Sequence, residues 1–279
     1  MLSIFLGFAS AIGWGAADFV GGLASRKTGA YRTIFYAEAI GIFFVIAAAL
    51  LFRQPFPNGS ASLLALLAGV VGTSGLVLLY RSMTSGLMSI AAPVSALLSA
   101  IIPIVVGSFT EGLPKLVTVF GFGFALLAIW FISQSGDGVK DILAHILDLK
   151  FPILAGAGFG LYFVIMHAAT RETALWPMVI SRSGGMVIMA VYLFLRRDSW
   201  RVERSSWWLI ALNGLLDVSG NLLYILASQT GRMDVAAILG SLFPASTVLL
   251  AALILKERVT RTQSFGIALA LVSIILMTL

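Results

Sequence analysis

Apolar runs of about the 17 to 25 residues that a bilayer crossing takes follow one another along the whole chain, separated by short polar or Gly/Pro breaks. The runs are Ser3 to Leu23, Tyr31 to Phe52, Ser62 to Arg81, Met88 to Phe109 and Pro114 to Ser133. They continue as Phe151 to Ala169, Leu175 to Leu195, Ser206 to Ser228, Val235 to Leu255 and Gln263 to Leu279. Lipid leaves only helices or closed barrels as spanning structures, and these runs lack the alternation of barrel strands. The expected fold is therefore an all-α integral membrane protein of ten transmembrane helices. Composition agrees: 59% of residues are hydrophobic and 11% charged, too few polar groups to cover a water-soluble domain.

The second half of the chain repeats the first. Gly231 to Gly266 is a reworked copy of Gly86 to Gly121, with Met233/Met88, Ala236/Ala91, Ala237/Ala92, Phe265/Phe120 and Gly266/Gly121 all 145 residues apart. The same offset carries Gly13-Trp14-Gly15 onto Gly158-Phe159-Gly160 and Ser74-Gly75 onto Ser219-Gly220. A constant register across separate segments marks a duplicated unit. It divides the chain into a first five-helix repeat, 1–134, a linker, 135–145, and a second repeat, 146–279. Five spans per copy is an odd number, so the second copy enters the membrane from the other side, and the repeats are inverted as in many secondary transporters.

Charge supports the inversion. Connections after spans 1, 3, 5, 7 and 9 hold Arg26, Lys27, Arg32, Arg81, Lys140, Lys150, Arg196, Arg197, Arg201, Arg204, Lys256, Arg258 and Arg261, while the others hold Arg53, Lys115, Arg171 and Arg232. Positive loops stay cytoplasmic, so both termini are expected outside the cytoplasm. The net charge of +6 thus reflects membrane topology, not nucleic-acid binding. With no cysteine and only His145 and His167 as imidazoles, no metal site or cofactor is expected. Nucleotide-binding and hydrolase motifs are also missing.

The run from Ala236 to Gly266, with Pro244, the Leu-Leu-Ala-Ala-Leu stretch at 249–253, Glu257, Thr260, Gln263 and Gly266, resembles the signature of the EamA family of the drug/metabolite transporter superfamily. The first half departs from it: Pro93 and Pro103 do not align with Pro244, and Glu111 is one place from matching Glu257. Within the family the chain looks most like the YddG-type exporters. That resemblance implies a bacterial inner-membrane exporter of aromatic amino acids and related metabolites. Sugar or nucleotide-sugar transport within the same superfamily is the alternative, and a membrane enzyme acting on lipid-linked substrates a remote one. The expected partners are a small-molecule substrate, the bilayer and, where transport is coupled, protons; the chain is expected to act as a monomer.

Charged side chains inside a span cost roughly 2.5 to 3.5 kcal/mol at a helix centre on insertion scales and so call for a reason. Asp217 is the most central, flanked one turn away on each side by Asn213 and Asn221, and forms a polar stripe suited to a proton or a substrate amine. Asp18 and Glu38 are possible coupling sites, or carboxylates that pair with the nearby Arg26, Lys27 and Arg32. Arg182 is a candidate for a substrate carboxylate. The offset matches it to Ala37, beside Glu38, which sets these two charges in opposite leaflets and predicts that they do not pair. Trp14, Phe159, Tyr80, Tyr162 and Tyr224 are candidates for the apolar wall of a substrate cavity, with helix packing and interfacial belting as their plainer roles. The glycines beside Trp14 and Phe159 suit close helix contact, and Pro93, Pro103 and Pro244 are expected to kink spans 4 and 9.

Overall fold

Each apolar run satisfies its backbone internally by coiling, and ten helices among the described residues are long and apolar enough to cross a membrane. The computed structural model describes residues 1–82, 88–133, 149–197 and 199–279; the expected linker 135–145 with His145, and the side chain of Tyr80, lie outside the described residues. The helices are α1 (Leu2–Thr28), α2 (Ala30–Leu51), α3 (Gly59–Ser82), α4 (Met88–Thr110), α5 (Leu116–Ser133), α6 (Lys150–Ala169), α7 (Leu175–Leu195) and α8 (Trp207–Thr230). The ninth span is divided into α9 (Met233–Gly240) and α10 (Phe243–Ile254), and α11 (Arg261–Thr278) closes the chain.

Local sequence sets the ends. Helix α1 runs past the expected Leu23, because Arg26 and Lys27 in its last turn sit favourably at the negative end of the helix dipole. It stops at Gly29, whose φ of 81° suits a residue without a Cβ. The Thr260 and Gln263 of the family-like signature form a capping box at the start of α11, each side chain bonding the other's backbone N–H. The expected kinks in spans 4 and 9 differ in kind. Pro244 follows a break at Ser241–Leu242 and begins α10, where its missing N–H costs little. Pro93 and Pro103 lie inside α4, which continues through both.

The helix pairings follow the 145-residue offset. Helix α1 packs on α8, and its counterpart α6 packs on α3. Helix α1 also meets α9 and α10, as α6 meets α4; α2 meets α8, as α7 meets α3. Three pairs join counterparts directly: α2 with α7, α4 with α9, and α5 with α11. The closest approaches correspond too. A Cβ added to Gly13 would lie 3.0 Å from the Cα of Gly220, and one added to Gly158 would lie 3.1 Å from the Cα of Gly75. These are backbone contacts that only small residues permit. Large apolar side chains such as Phe43, Leu51, Phe109, Leu116 and Leu253 are left exposed on the outer surface, as a lipid-facing surface requires.

Candidate functional site

Helices α2, α7 and α8 meet where three of the anticipated charges come together. Arg182 of α7 is buried, and its two terminal nitrogens are both engaged. One donates to Oε2 of Glu38 on α2 at 2.6 Å, and the other to Oδ2 of Asp217 on α8. The carboxylates are less covered than the cation: the side chains of Glu38 and Asp217 are 26% and 32% exposed against 8% for Arg182. A buried cation clamped by two solvent-reachable carboxylates ties the three helices together and presents negative charge to the interior.

This overturns the expectation that Arg182 and Glu38 do not pair. The offset sets the sign of each displacement from the helix midpoint, and depth decides whether the two charges meet. Each residue lies only about 4 Å from the midpoint of its own helix at 1.5 Å of rise per residue, so opposite displacements still leave a gap that an arginine side chain spans. Glu38 is accordingly not paired with the Arg26, Lys27 and Arg32 loop. Arg182, having both nitrogens occupied, is not free to take a substrate carboxylate without releasing a partner.

The polar stripe on α8 extends the cluster. Asn221 donates through Nδ2 to the backbone carbonyl of Asp217 at 2.8 Å and to its Oδ2 at 3.3 Å, while the Tyr162 hydroxyl on α6 donates to Asn221 Oδ1 at 2.6 Å. Asn213 lies instead against α1, where a Cβ on Gly21 would come within 2.8 Å of its Nδ2. Asp18 on α1 is exposed although it sits between buried Ala17 and Phe19, and it makes no hydrogen bond or ion pair among the described residues. It is within electrostatic reach of Asp217. Two carboxylates thus share one guanidinium with a third, Asp18, nearby, leaving the centre short of positive charge.

The aromatic candidates separate into two groups. Trp14, Phe163 and Tyr224 form a packed cluster, with ring centroids 5.5 Å apart for Trp14 and Phe163 and 4.7 Å for Phe163 and Tyr224. Tyr224 is 1% exposed and its hydroxyl donates to the carbonyl of Phe163 at 3.0 Å, so it stands behind the others. Trp14 and Tyr162 are half-buried; Tyr162 joins the charged cluster through Asn221, while Trp14 on α1 packs beside Phe163, Tyr224 and Gly220. Phe159 rests against α3, 3.5 Å from where a Cβ on Gly75 would be, just as Trp14 rests against Gly220 of α8.

A second polar cluster was not anticipated. Glu111, just after α4, accepts from the backbone N–H of Met233 at 3.1 Å and lies 3.8 Å from Nε2 of His167 on α6. Arg232 donates to the carbonyl of Gly112 at 2.7 Å and to both carboxylate oxygens of the fully buried Asp234. Burial pushes the Glu111 carboxyl above its usual range, with the Met233 N–H opposing, and the hydrogen bond from Arg232 to Asp234 raises the arginine further. The signal available was the Arg-Met-Asp sequence at 232–234. A span started at Val235 leaves Asp234 in a loop, one residue short of being read as a carboxylate inside a helix.

The profile of the EamA-like transporter family matches this chain twice, over residues 1–134 and 149–279. The chain is 24% identical over 139 residues to the "Uncharacterized transporter YyaM" of Bacillus subtilis (strain 168), a match covering 50% of this chain and 45% of that protein. It is 26% identical over 122 residues to the "Uncharacterized protein MJ1333.1" of Methanocaldococcus jannaschii, covering 44% of this chain and 88% of the relative. The archaeal protein is therefore about as long as one half of this one. A solved structure described as "Crystal structure of protein" superposes with a TM-score of 0.74 at 16% identity, covering 97% of this chain and 96% of that one, a likeness of fold.

Proposed function

We propose, since this chain belongs to the EamA-like transporter family, that it is a secondary carrier moving small amine-bearing metabolites by alternating access between two inverted halves. The family and the description of the Bacillus relative point to a membrane transporter of small molecules, not an enzyme. Amino acids with aromatic or apolar side chains are the proposed substrates and export the proposed direction, in a bacterial inner membrane with both termini outside the cytoplasm.

The observation that carries this reading is the Arg182 clamp. A charge this far from water is kept where a span needs it, and here it leaves two carboxylates partly exposed beside the unpartnered Asp18. A substrate ammonium supplies the missing positive charge, drawn to Asp18 and Asp217, while its apolar body lies against Trp14 and Tyr162, where an aromatic face also attracts a cation. Tyr224 supports this wall from behind, while Asn213 packs on α1 at Gly21 and Phe159 on α3 at Gly75. Glu38 and Asp217 share Arg182, so a proton or an ammonium reaching either one loosens the clamp and the helices it joins. That couples occupancy to conformation, with protons able to take part.

Ligand-induced stabilisation of the detergent-purified protein tests the substrate class. A ligand at 100 times its Kd adds about 2.7 kcal/mol to stability, a readable rise in melting temperature. Phenylalanine, tryptophan and their decarboxylated amines are expected to raise it, and sugars and nucleotide sugars to leave it unchanged. The reverse order would overturn the amine assignment in favour of a sugar carrier.

A further inference from the structure

Helix α1 exposes two different faces along its length. In its first half the exposed positions are Leu2, Phe5, Phe8 and Ile12, an apolar row for lipid. A second row starts at Asp18, about 120° round the helix from Ile12, and turns back toward the first through Gly22 and Arg26, four residues apart and all exposed, continuing from half-buried Trp14. A Cβ at Gly22 would meet nothing within 4 Å. The second face holds a carboxylate within reach of Asp217, so it opens on the polar interior and leads from Trp14 to the end of the helix that carries Arg26.

The offset maps this row onto Phe159, Phe163 and His167 of α6 and Arg171 just beyond it. There the middle is shut. Phe163 is 9% exposed, packed between Trp14 and Tyr224, and His167 is held near Glu111. Beyond it the second polar cluster ties together the ends of four helices. Glu111 after α4 caps the start of α9 through Met233. Arg232 joins the backbone after α4, at Glu111 and Gly112, to Asp234 in α9. Gln229 of α8 donates to the His167 carbonyl at 2.8 Å and to Thr170 Oγ1 at 3.0 Å. At the other end of the bundle the positions matching Glu111 and His167 are exposed Lys256, just after α10, and open Gly22 of α1.

We propose that the knot of Glu111, His167, Arg232 and Asp234 is the closed gate of the transport path and that the Asp18–Gly22–Arg26 row of α1 is its open mouth. The structure therefore holds the path open to the face bearing the α1–α2 connection and shut to the opposite face. This rests on the carrier reading above. The Arg232–Asp234 pair is local to the start of α9, but the contacts of Arg232 with Glu111 and Gly112, of Glu111 with Met233 and His167, and of Gln229 with His167 and Thr170 cross between helix ends, so releasing them frees α4, α6, α8 and α9 to part at that end.

The chain contains no cysteine, which makes single introduced thiols clean reporters. Gly22→Cys lies in the mouth. Ser228→Cys lies beneath the knot: it is one turn before Arg232, 1% exposed, and on the α8 stripe of Asp217, Asn221 and Tyr224. Each is alkylated in sealed vesicles of either orientation with a membrane-impermeant methanethiosulfonate. In the otherwise native chain, Gly22→Cys is expected to label from the face of the α1–α2 connection, and Ser228→Cys to resist labelling from the other. Adding Glu111→Gln with Arg232→Gln is expected to speed labelling of Ser228→Cys about tenfold, within the range of coupling between two conformations. Glu111→Gln alone keeps the size and acceptor oxygen of the carboxylate and is read instead where the double variant does not fold.

Faster labelling of Ser228→Cys with slower labelling of Gly22→Cys supports both gate and carrier. Faster labelling at Ser228 with no change at Gly22 keeps the gate but refutes alternation, since both ends are then open together. Unchanged or initially rapid labelling of Ser228→Cys overturns the gate, and an unreactive Gly22→Cys overturns the mouth.

Discussion

The rows Trp14 to Arg26 and Phe159 to Arg171 are matched by the 145-residue offset and differ in a single respect. Their backbones are held alike, Gly13 against Gly220 and Gly158 against Gly75, with Trp14 and Phe159 laid over the partner glycine of each pair. Their side chains differ. The first copy has a carboxylate and a glycine where the second has a phenylalanine and a histidine. The matched rows thus share the contacts that set helix spacing and differ in the groups set beside them. Spacing belongs to the fold and is common to both copies, whereas charge and access are local to one end.

The largest test of this contrast is at the shared centre. Arg182→Met leaves Glu38 and Asp217 without their cation, and breaking a buried pair in this way costs about 3 to 5 kcal/mol. A marked drop in melting temperature with loss of transport is expected. Arg182→Lys restores charge but not the two-pronged contact, so it should recover stability more than transport. Equal recovery of both would reduce the clamp to a structural tie.

Next in size are the paired small residues. A Cβ at Gly69 would lie 1.8 Å from the Ser181 carbonyl oxygen, and one at its counterpart Gly214 would lie 2.4 Å from that of Ala37. Gly69→Ala and Gly214→Ala should each destabilise by about 1 to 3 kcal/mol, the cost of overpacking, seen as similar falls in melting temperature. Gly22→Ala, in open space, should be neutral or slightly stabilising because alanine favours helix. A large loss at Gly22 would mean the mouth is a packed surface.

Smaller again is Tyr162→Phe, which removes one hydrogen bond to Asn221 and should cost about 1 kcal/mol in thermal unfolding. Smallest for stability is Asp18→Asn, since no partner is lost. Its melting temperature should be unchanged while affinity for amine-bearing ligands falls. A clear loss of stability would show that Asp18 has a structural partner, contrary to its place on the open row.

Composition and run length revealed the ten spans because lipid tolerates so few backbone solutions, and the 145-residue offset recurs in the helix pairings because close packing depends on the glycines it matches. Depth was harder to read. Arg182 and Glu38 seemed to belong to opposite leaflets, yet residues near the centre of inverted copies are displaced too little to be kept apart. Asp234 escaped notice because it begins its span, where a shift of one residue decides whether a carboxylate counts as buried. Which of Trp14, Tyr162 and Tyr224 is reachable depends on side-chain packing between helices distant in sequence, and no periodicity encodes that.

Counterflow in proteoliposomes tests the carrier most directly. Vesicles preloaded with unlabelled phenylalanine or tryptophan and diluted into the labelled amino acid are expected to show a transient, saturable accumulation that Arg182→Met abolishes. Entry that rises linearly with concentration, or accumulation unaffected by loss of Arg182, would contradict a carrier organised around that clamp.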